Sequence, residues 1–165
     1  MKEIDYDIMR ELIKNPRLSD RQVAKILRVS QPTVTRRRRQ IEKDNLVEYT
    51  GIPDFGRMGF EIMAFTFGTW KFDKSADTKV QVAKDFIAGH PNIIFVSTGR
   101  SECGDRVAIS VHKDYSEYSK FMGDVRREWA DLMGDPKTFL ISLKVDNIVR
   151  RLTFKYLMDT IDKKE

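Results

Sequence analysis

The stretch that constrains this chain most is Ser19–Lys43, SDRQVAKILRVSQPTVTRRRRQIEK. It predicts two short helices joined by a tight turn, the second carrying four consecutive arginines, Arg36 to Arg39. Ser19 and Gln22 have capping-box spacing, which satisfies backbone N–H groups left open at a helix start. Val23, Ala24 and Leu27 then fall on one helical face. Val29 and Ser30 interrupt the run. Ser30 can cap a second helix, and Pro32 is tolerated in a first turn, where the backbone N–H has no intrahelical partner. Val34 and Ile41 share one face of that helix, with Gln31, Thr35, Arg36 and Arg39 opposite. The pattern is a helix-turn-helix, a unit whose second helix enters the DNA major groove with its N-terminal side chains at base edges.

Charge points the same way. Residues 1–50 hold 12 Lys+Arg and 8 Asp+Glu, whereas residues 51–165 hold 18 and 17. Between residues 28 and 43, six basic side chains face the one acid Glu42. A charge run on a helix is ordinarily a solvated face, but here focus, cap and spacing coincide. Double-stranded DNA is the implied partner, held through release of phosphate counterions. Gln31, Thr33, Arg36 and Arg37 are the candidates for base edges, since Arg suits guanine and Gln suits adenine. Arg28 and Arg39 are candidates for phosphate, the commoner target. Thr35 suits either, and Ser30 joins the set at the helix start.

Other function classes find little support. No apolar run of about 18 residues exists, so no membrane-spanning helix is expected. The start, MKEIDYDIMRE, lacks the apolar region of a secretory signal. A single cysteine, Cys103, excludes an intrachain disulfide framework. A cytoplasmic, nucleoid-associated protein is the expectation. His90 and His112 have no ligand-spaced partners, so no metal is expected. Glu102, Asp105 and Asp114 stand beside no nucleophile motif or phosphate loop, so neither an enzyme nor a cofactor is expected. Cys103 reads as a bystander in an exposed loop, and Trp70 and Phe72 as packing residues.

Ile4 to Lys14 reads as a helix before the helix-turn-helix, with Ile8 and Leu12 joining a core of Leu18, Val23, Ala24, Leu27, Val34 and Ile41. Leu46 to Ile52 reads as a short strand entering a wing, and residues 53–60 as a linker. From Glu61 the period changes from helical to alternating. A strand is predicted from Ile62 to Phe72, a helix over Thr78–Ala88, and strands at Asn92–Thr98 and Asp105–His112 around a Gly99–Gly104 turn. A long helix follows over Tyr115–Met133, then a strand at Thr138–Val145. The order β-α-β-β-α-β is ferredoxin-like. Two helices can cover one face of such a sheet. The other face is also apolar, which implies a partner, most simply a second copy. Val149 to Asp162 predicts an amphipathic helix. It could cover that sheet, dock on the N-terminal domain or line a dimer interface.

The expected fold is therefore α+β. A three-helix winged helix-turn-helix occupies residues 1–52, a linker 53–60, a ferredoxin-like dimerisation domain 61–147, and a C-terminal helix 148–165. This arrangement resembles the Lrp/AsnC family of prokaryotic transcription regulators over roughly residues 3–147. The resemblance rests on the opening IDYDIMRELIKNPRLSDRQVAKILRVSQPTVTRRRRQIEKDNLVE together with the second-domain pattern. It implies a homodimer, or a ring of dimers, joined through the ferredoxin-like domains. It also implies a small effector such as an amino acid, bound partly through a Thr-Gly-x-x-Asp segment. Here that segment would be Thr98 and Gly99 with, after a longer loop, Asp105. Arg38 departs from the pattern by replacing an apolar residue, and its stem is expected to pack while its head reaches water. The helix beyond Val149 is an addition. The function expected is a homo-oligomeric, sequence-specific transcription regulator; the alternative is a nucleoid-type architectural protein with little sequence preference.

Overall fold

A computed structural model describes residues 1–71, 77–144 and 148–159. The chain divides into two compact units, one comprising Met1–Ile52 and Arg150–Glu165, the other Pro53–Val149.

In the first unit, helices α1 (Glu3–Lys14), α2 (Asp20–Leu27) and α3 (Gln31–Lys43) enclose a small core. Ile8, Leu12, Val23, Ala24, Val34 and Ile41 are buried there, as expected, and Met9 joins them; Leu18 and Leu27 pack at the edge. The capping box at α2 is formed: the Gln22 N–H donates to Ser19 Oγ at 3.3 Å, and the Ser19 N–H to Gln22 Oε1 at 2.8 Å. At the end of α3, Asn45 takes a left-handed φ of 52° and the Leu46 N–H donates back to Ile41 O. The chain beyond does not form the expected wing strand. Residues 47–52 pair with no strand among the described residues, and an unpaired strand has no ladder to satisfy its backbone.

The C-terminal expectation is also corrected. Among the described residues the only helical piece is a 3₁₀ turn, Lys155–Asp159, which packs against α1; residues 160–162 lie outside the described residues. Leu152, Phe154 and Leu157 are each more than half exposed. A short helix that buries so little of its apolar face is marginal.

The second unit is a four-stranded antiparallel sheet in the order β2-β3-β1-β4. Its strands are β1 (Ile62–Gly68), β2 (Ile93–Ser101), β3 (Gly104–His112) and β4 (Lys137–Ser142), with helices α4 (Asp77–Gly89) and α5 (Tyr115–Trp129) between them. One face carries Ala64 under Tyr118, Phe121, Met122 and Val125 of α5, with Phe86 of α4 alongside. The alternation along β1 puts Phe65 on the opposite face. There the register lines up Phe95, Ile109, Phe65 and Phe139 across all four strands.

Several boundaries differ from expectation. α5 ends at Trp129 rather than Met133, and β4 spans Lys137–Ser142, with Val145 outside the described residues. Residues 54–60 form a folded turn rather than an open linker. Met58 and Phe60 N–H groups donate to Asp54 and Phe55 carbonyls, and the Phe55 and Phe60 rings meet edge-on at 5.9 Å. β1 ends at Gly68, and Phe72 lies outside the described residues. The Gly99–Gly104 turn is tighter than expected, because β2 runs on to Ser101 and β3 begins at Gly104. Gly104 is required at that point. Its φ is +141°, and a Cβ would stand 2.3 Å from Gly68 O.

Candidate nucleic-acid interface

The candidate surface is α3, and its start is built by Ser30. Extended backbone at Ser30 (φ −73°, ψ 143°) lets its hydroxyl accept the Thr33 N–H at 3.4 Å. The Ser30 and Thr33 hydroxyls also bond to each other at 2.8 Å. Val34 and Ile41 anchor the inner face. On the outer face Gln31, Pro32, Thr35, Arg36, Arg39, Gln40 and Lys43 line one shallow recess, and no acid is among them. That arrangement offers three cations and two amides to a polyanion. The helix N-terminus adds the positive end of its dipole.

The arginine run divides in two. Arg36 and Arg39 are exposed on the outer face. Arg37, expected at a base edge, turns inward instead. Its Nε lies 3.6 Å from Asp5 Oδ1 on α1, with both side chains nearly buried. Helical geometry is the reason: consecutive residues are about 100° apart, so four in a row cannot share one face.

Arg38 keeps a fifth of its side chain exposed, and its head is held at the surface by four hydrogen bonds rather than left free in water. Nε donates to Glu42 Oε1 at 3.0 Å and to Tyr49 Oη at 3.1 Å. Nη1 donates to the Leu18 carbonyl at 3.0 Å and to Asp20 Oδ1 at 3.2 Å. Burial opposes its charge, but Glu42, Tyr49 and Asp20 outweigh burial and raise its pKa. Burial likewise raises the Tyr49 phenol, with its hydrogen bond to Glu42 adding to the rise and Arg38 opposing it. One guanidinium thus ties together the loop before α2, the first residue of α2, α3, and the chain after α3.

Arg28 ends α2 in a left-handed conformation, φ 55° and ψ 41°, while the Val29 N–H donates to Ala24 O. Its side chain is exposed at the turn between α2 and α3. Thr35 is half-buried, and its hydroxyl donates to Asp20 Oδ2 at 2.7 Å. The residues missed in the sequence are Gln40, Lys43 and Asp20. Gln40 and Lys43 continue the spacing of Arg36 by four and seven, a signal that was there to be read. Asp20 was legible only as a first-turn acid.

In the second unit Thr98 and Gly99 lie within β2, with Thr98 opposite Arg106. Asp105 sits next to Arg106, and its Oδ1 accepts the Trp70 backbone N–H at 3.2 Å. The three candidate effector residues are therefore on neighbouring strands, with one carboxylate oxygen of Asp105 already engaged. Cys103 is exposed at the hairpin tip. His90 and His112 both pack their rings on Phe121, at 4.8 and 5.0 Å. Among the described residues no cluster of three His, Cys, Asp or Glu could hold a metal. No described helix is long and apolar enough to cross a membrane.

Residues 1–48 match the model of a winged helix-turn-helix DNA-binding family. The chain is 33% identical over 96 residues to the HTH-type transcriptional regulator LrpC of Bacillus subtilis, a match covering 58% of this chain and 63% of that regulator. The match thus spans under two thirds of LrpC. The solved structure of B. subtilis LrpC superposes with a TM-score of 0.72 at 23% identity, covering 89% of this chain and 98% of LrpC. A transcriptional regulator of Neisseria meningitidis solved with L-methionine gives 0.72 at 18% identity, over 95% and 99% of the two chains. Escherichia coli AsnC gives 0.67 at 13% identity, over 92% and 97%. The α+β architecture of those regulators is the architecture of this chain.

Proposed function

We infer that this chain belongs to the Lrp/AsnC family and is a sequence-specific, DNA-binding transcription regulator that acts as a homo-oligomer. The observation that carries the reading is the outer face of α3: capped at Ser30, acid-free, and presenting Gln31, Thr35, Arg36, Arg39 and Lys43 together. The helix-turn-helix match over residues 1–48 supports it. LrpC, a relative in sequence, is an HTH-type transcriptional regulator.

Self-association is supported by the open face of the sheet. Phe95 and Phe139, at either edge of the aromatic row, are 51% and 64% exposed. A second copy covering that face would remove the row from water and pair two reading helices. The DNA site is then roughly palindromic, with half-sites spaced by whole helical turns.

A small effector such as an amino acid is the proposed modulator, after the Neisseria regulator crystallised with L-methionine. Thr98, Gly99 and Asp105 are its proposed contacts. It would act by favouring one subunit arrangement, and with it one spacing of the reading helices.

Binding to a pool of genomic fragments, the chain's own upstream region included, tests the reading. Enrichment of a two-fold symmetric motif is expected. Uniform binding of all fragments, lost alike as salt rises, would instead favour the architectural alternative.

A further inference from the structure

Asp20 is the first residue of α2, and its carboxylate lies against two residues of α3. Oδ2 accepts the Thr35 hydroxyl at 2.7 Å, and Oδ1 accepts Arg38 Nη1 at 3.2 Å. A carboxylate in such a pair only accepts, so the single hydroxyl hydrogen of Thr35 is committed to Asp20. What Thr35 can still offer to the recess it shares with Gln31, Arg36 and Arg39 is its oxygen lone pairs.

We propose that Asp20 is a specificity-determining positioning residue: it fixes Thr35 as a hydrogen-bond acceptor, so that Thr35 reads a base amine, adenine N6 or cytosine N4, and not the acceptor edge of guanine or thymine O4. This rests on the reading of α3 as the DNA-contacting helix. In the major groove adenine and cytosine present amine donors, whereas guanine O6 and N7 and thymine O4 accept. Opposite guanine, an acceptor-only Thr35 sets lone pair against lone pair, and a desolvated group left unpaired is penalised. Asp20 is unsuited to touching DNA itself, because phosphate repels a carboxylate. By holding Arg38 with its other oxygen, it also fixes α3 against α2 and so fixes where the Thr35 oxygen arrives. The inner and outer faces of α3 are thereby joined through one carboxylate.

The test uses the full chain and the duplex it selects from a random pool. Bases along that duplex are replaced one at a time by analogues lacking the exocyclic amine, purine for adenine and 2-pyrimidinone for cytosine. One such deletion is expected to weaken wild-type binding about fivefold. The same deletion is expected to leave Thr35→Val, already weakened, unaffected. Asp20→Asn has an amide that donates as well as accepts. It is expected to relax base preference at that same pair with the salt slope of binding unchanged. The proposal is overturned if no amine deletion is masked by Thr35→Val, or if Asp20→Asn keeps the wild-type preference there. The amine-deletion arm on wild-type protein stands even where a variant fails to fold. A wild-type chain that selects no duplex would overturn this proposal together with the DNA-binding reading, and the absence of any selected site identifies that case.

Discussion

The Arg37 guanidinium on α3 lies 3.6 Å from the Asp5 carboxylate on α1, with 13% and 8% of the two side chains exposed. Asp5 also accepts the Lys2 backbone N–H at 2.7 Å, closing the start of α1. Removing Asp5 leaves the nearly buried Arg37 guanidinium without its counter-charge. Asp5→Ala is expected to lower unfolding free energy by about 3 kcal/mol, read by urea denaturation. The fraction still folded should bind DNA with the wild-type salt slope. Wild-type stability in that variant would mean the pair contributes nothing.

Arg28 holds a left-handed backbone that glycine adopts without strain. Arg28→Gly is expected to raise stability by about 1 kcal/mol. The same change should weaken DNA binding at low salt and reduce the slope of log K against log salt by about 0.9, the signature of one lost phosphate contact. Thermal unfolding and titrations at several salt concentrations read the two effects separately.

His112 is fully buried, with Nε2 bonded to Ser110 Oγ at 2.9 Å and Nδ1 without a partner. Burial holds its pKa below the ordinary value of 6.5; Glu117 opposes that shift and His90 adds to it. Between the lowered folded value and 6.5 the unfolded chain binds more protons than the folded one. Stability therefore rises with pH across that window and falls as pH drops below about 6.5. His112→Gln, which retains a partner for Ser110, is expected to flatten this dependence in unfolding measurements between about pH 5 and 7.

Phe139 is 64% exposed and stands opposite Phe65 in the aromatic row. Phe139→Asp is expected to shift the chain from dimer or larger species to monomer in sedimentation, with little loss of monomer stability at so exposed a position. An unchanged oligomer would place the self-contact elsewhere.

Much of this was legible in the sequence, for identifiable reasons. The capping box at Ser19 and Gln22, the apolar residues Ile8, Leu12, Val34 and Ile41, and the stripe from Tyr118 to Val125 are local or periodic signals, and each forms as expected. What failed depends on partners distant in the chain. Arg37 looks like Arg36 and Arg39, and only Asp5 reveals that it faces inward; the packed stem of Arg38 was expected, but the Asp20 and Glu42 partners of its head were not. The wing residues had the composition of a strand but, among the described residues, no strand to pair with. The C-terminal segment had helical spacing, yet Leu152, Phe154 and Leu157 stay more than half exposed where it meets α1, and only a 3₁₀ turn forms among its described residues. The bond from Asp105 to the Trp70 backbone, which comes from the meeting of β1 and β3, was likewise out of reach of the sequence; the effector role of Asp105 is unaffected by it and stays a proposal.

The most direct test of the central claim is one set of DNA titrations comparing wild type, Arg36→Ala and Arg37→Ala, each on the selected site and on a scrambled duplex over a range of salt. The outer face of α3 as the reading surface predicts that Arg36→Ala loses most of the preference for the selected site, with a change in salt slope of at most about one contact. Arg37→Ala, corrected for its folded fraction, should keep both preference and slope. Loss of preference in Arg37→Ala but not in Arg36→Ala, or no preference in the wild type, would contradict the account.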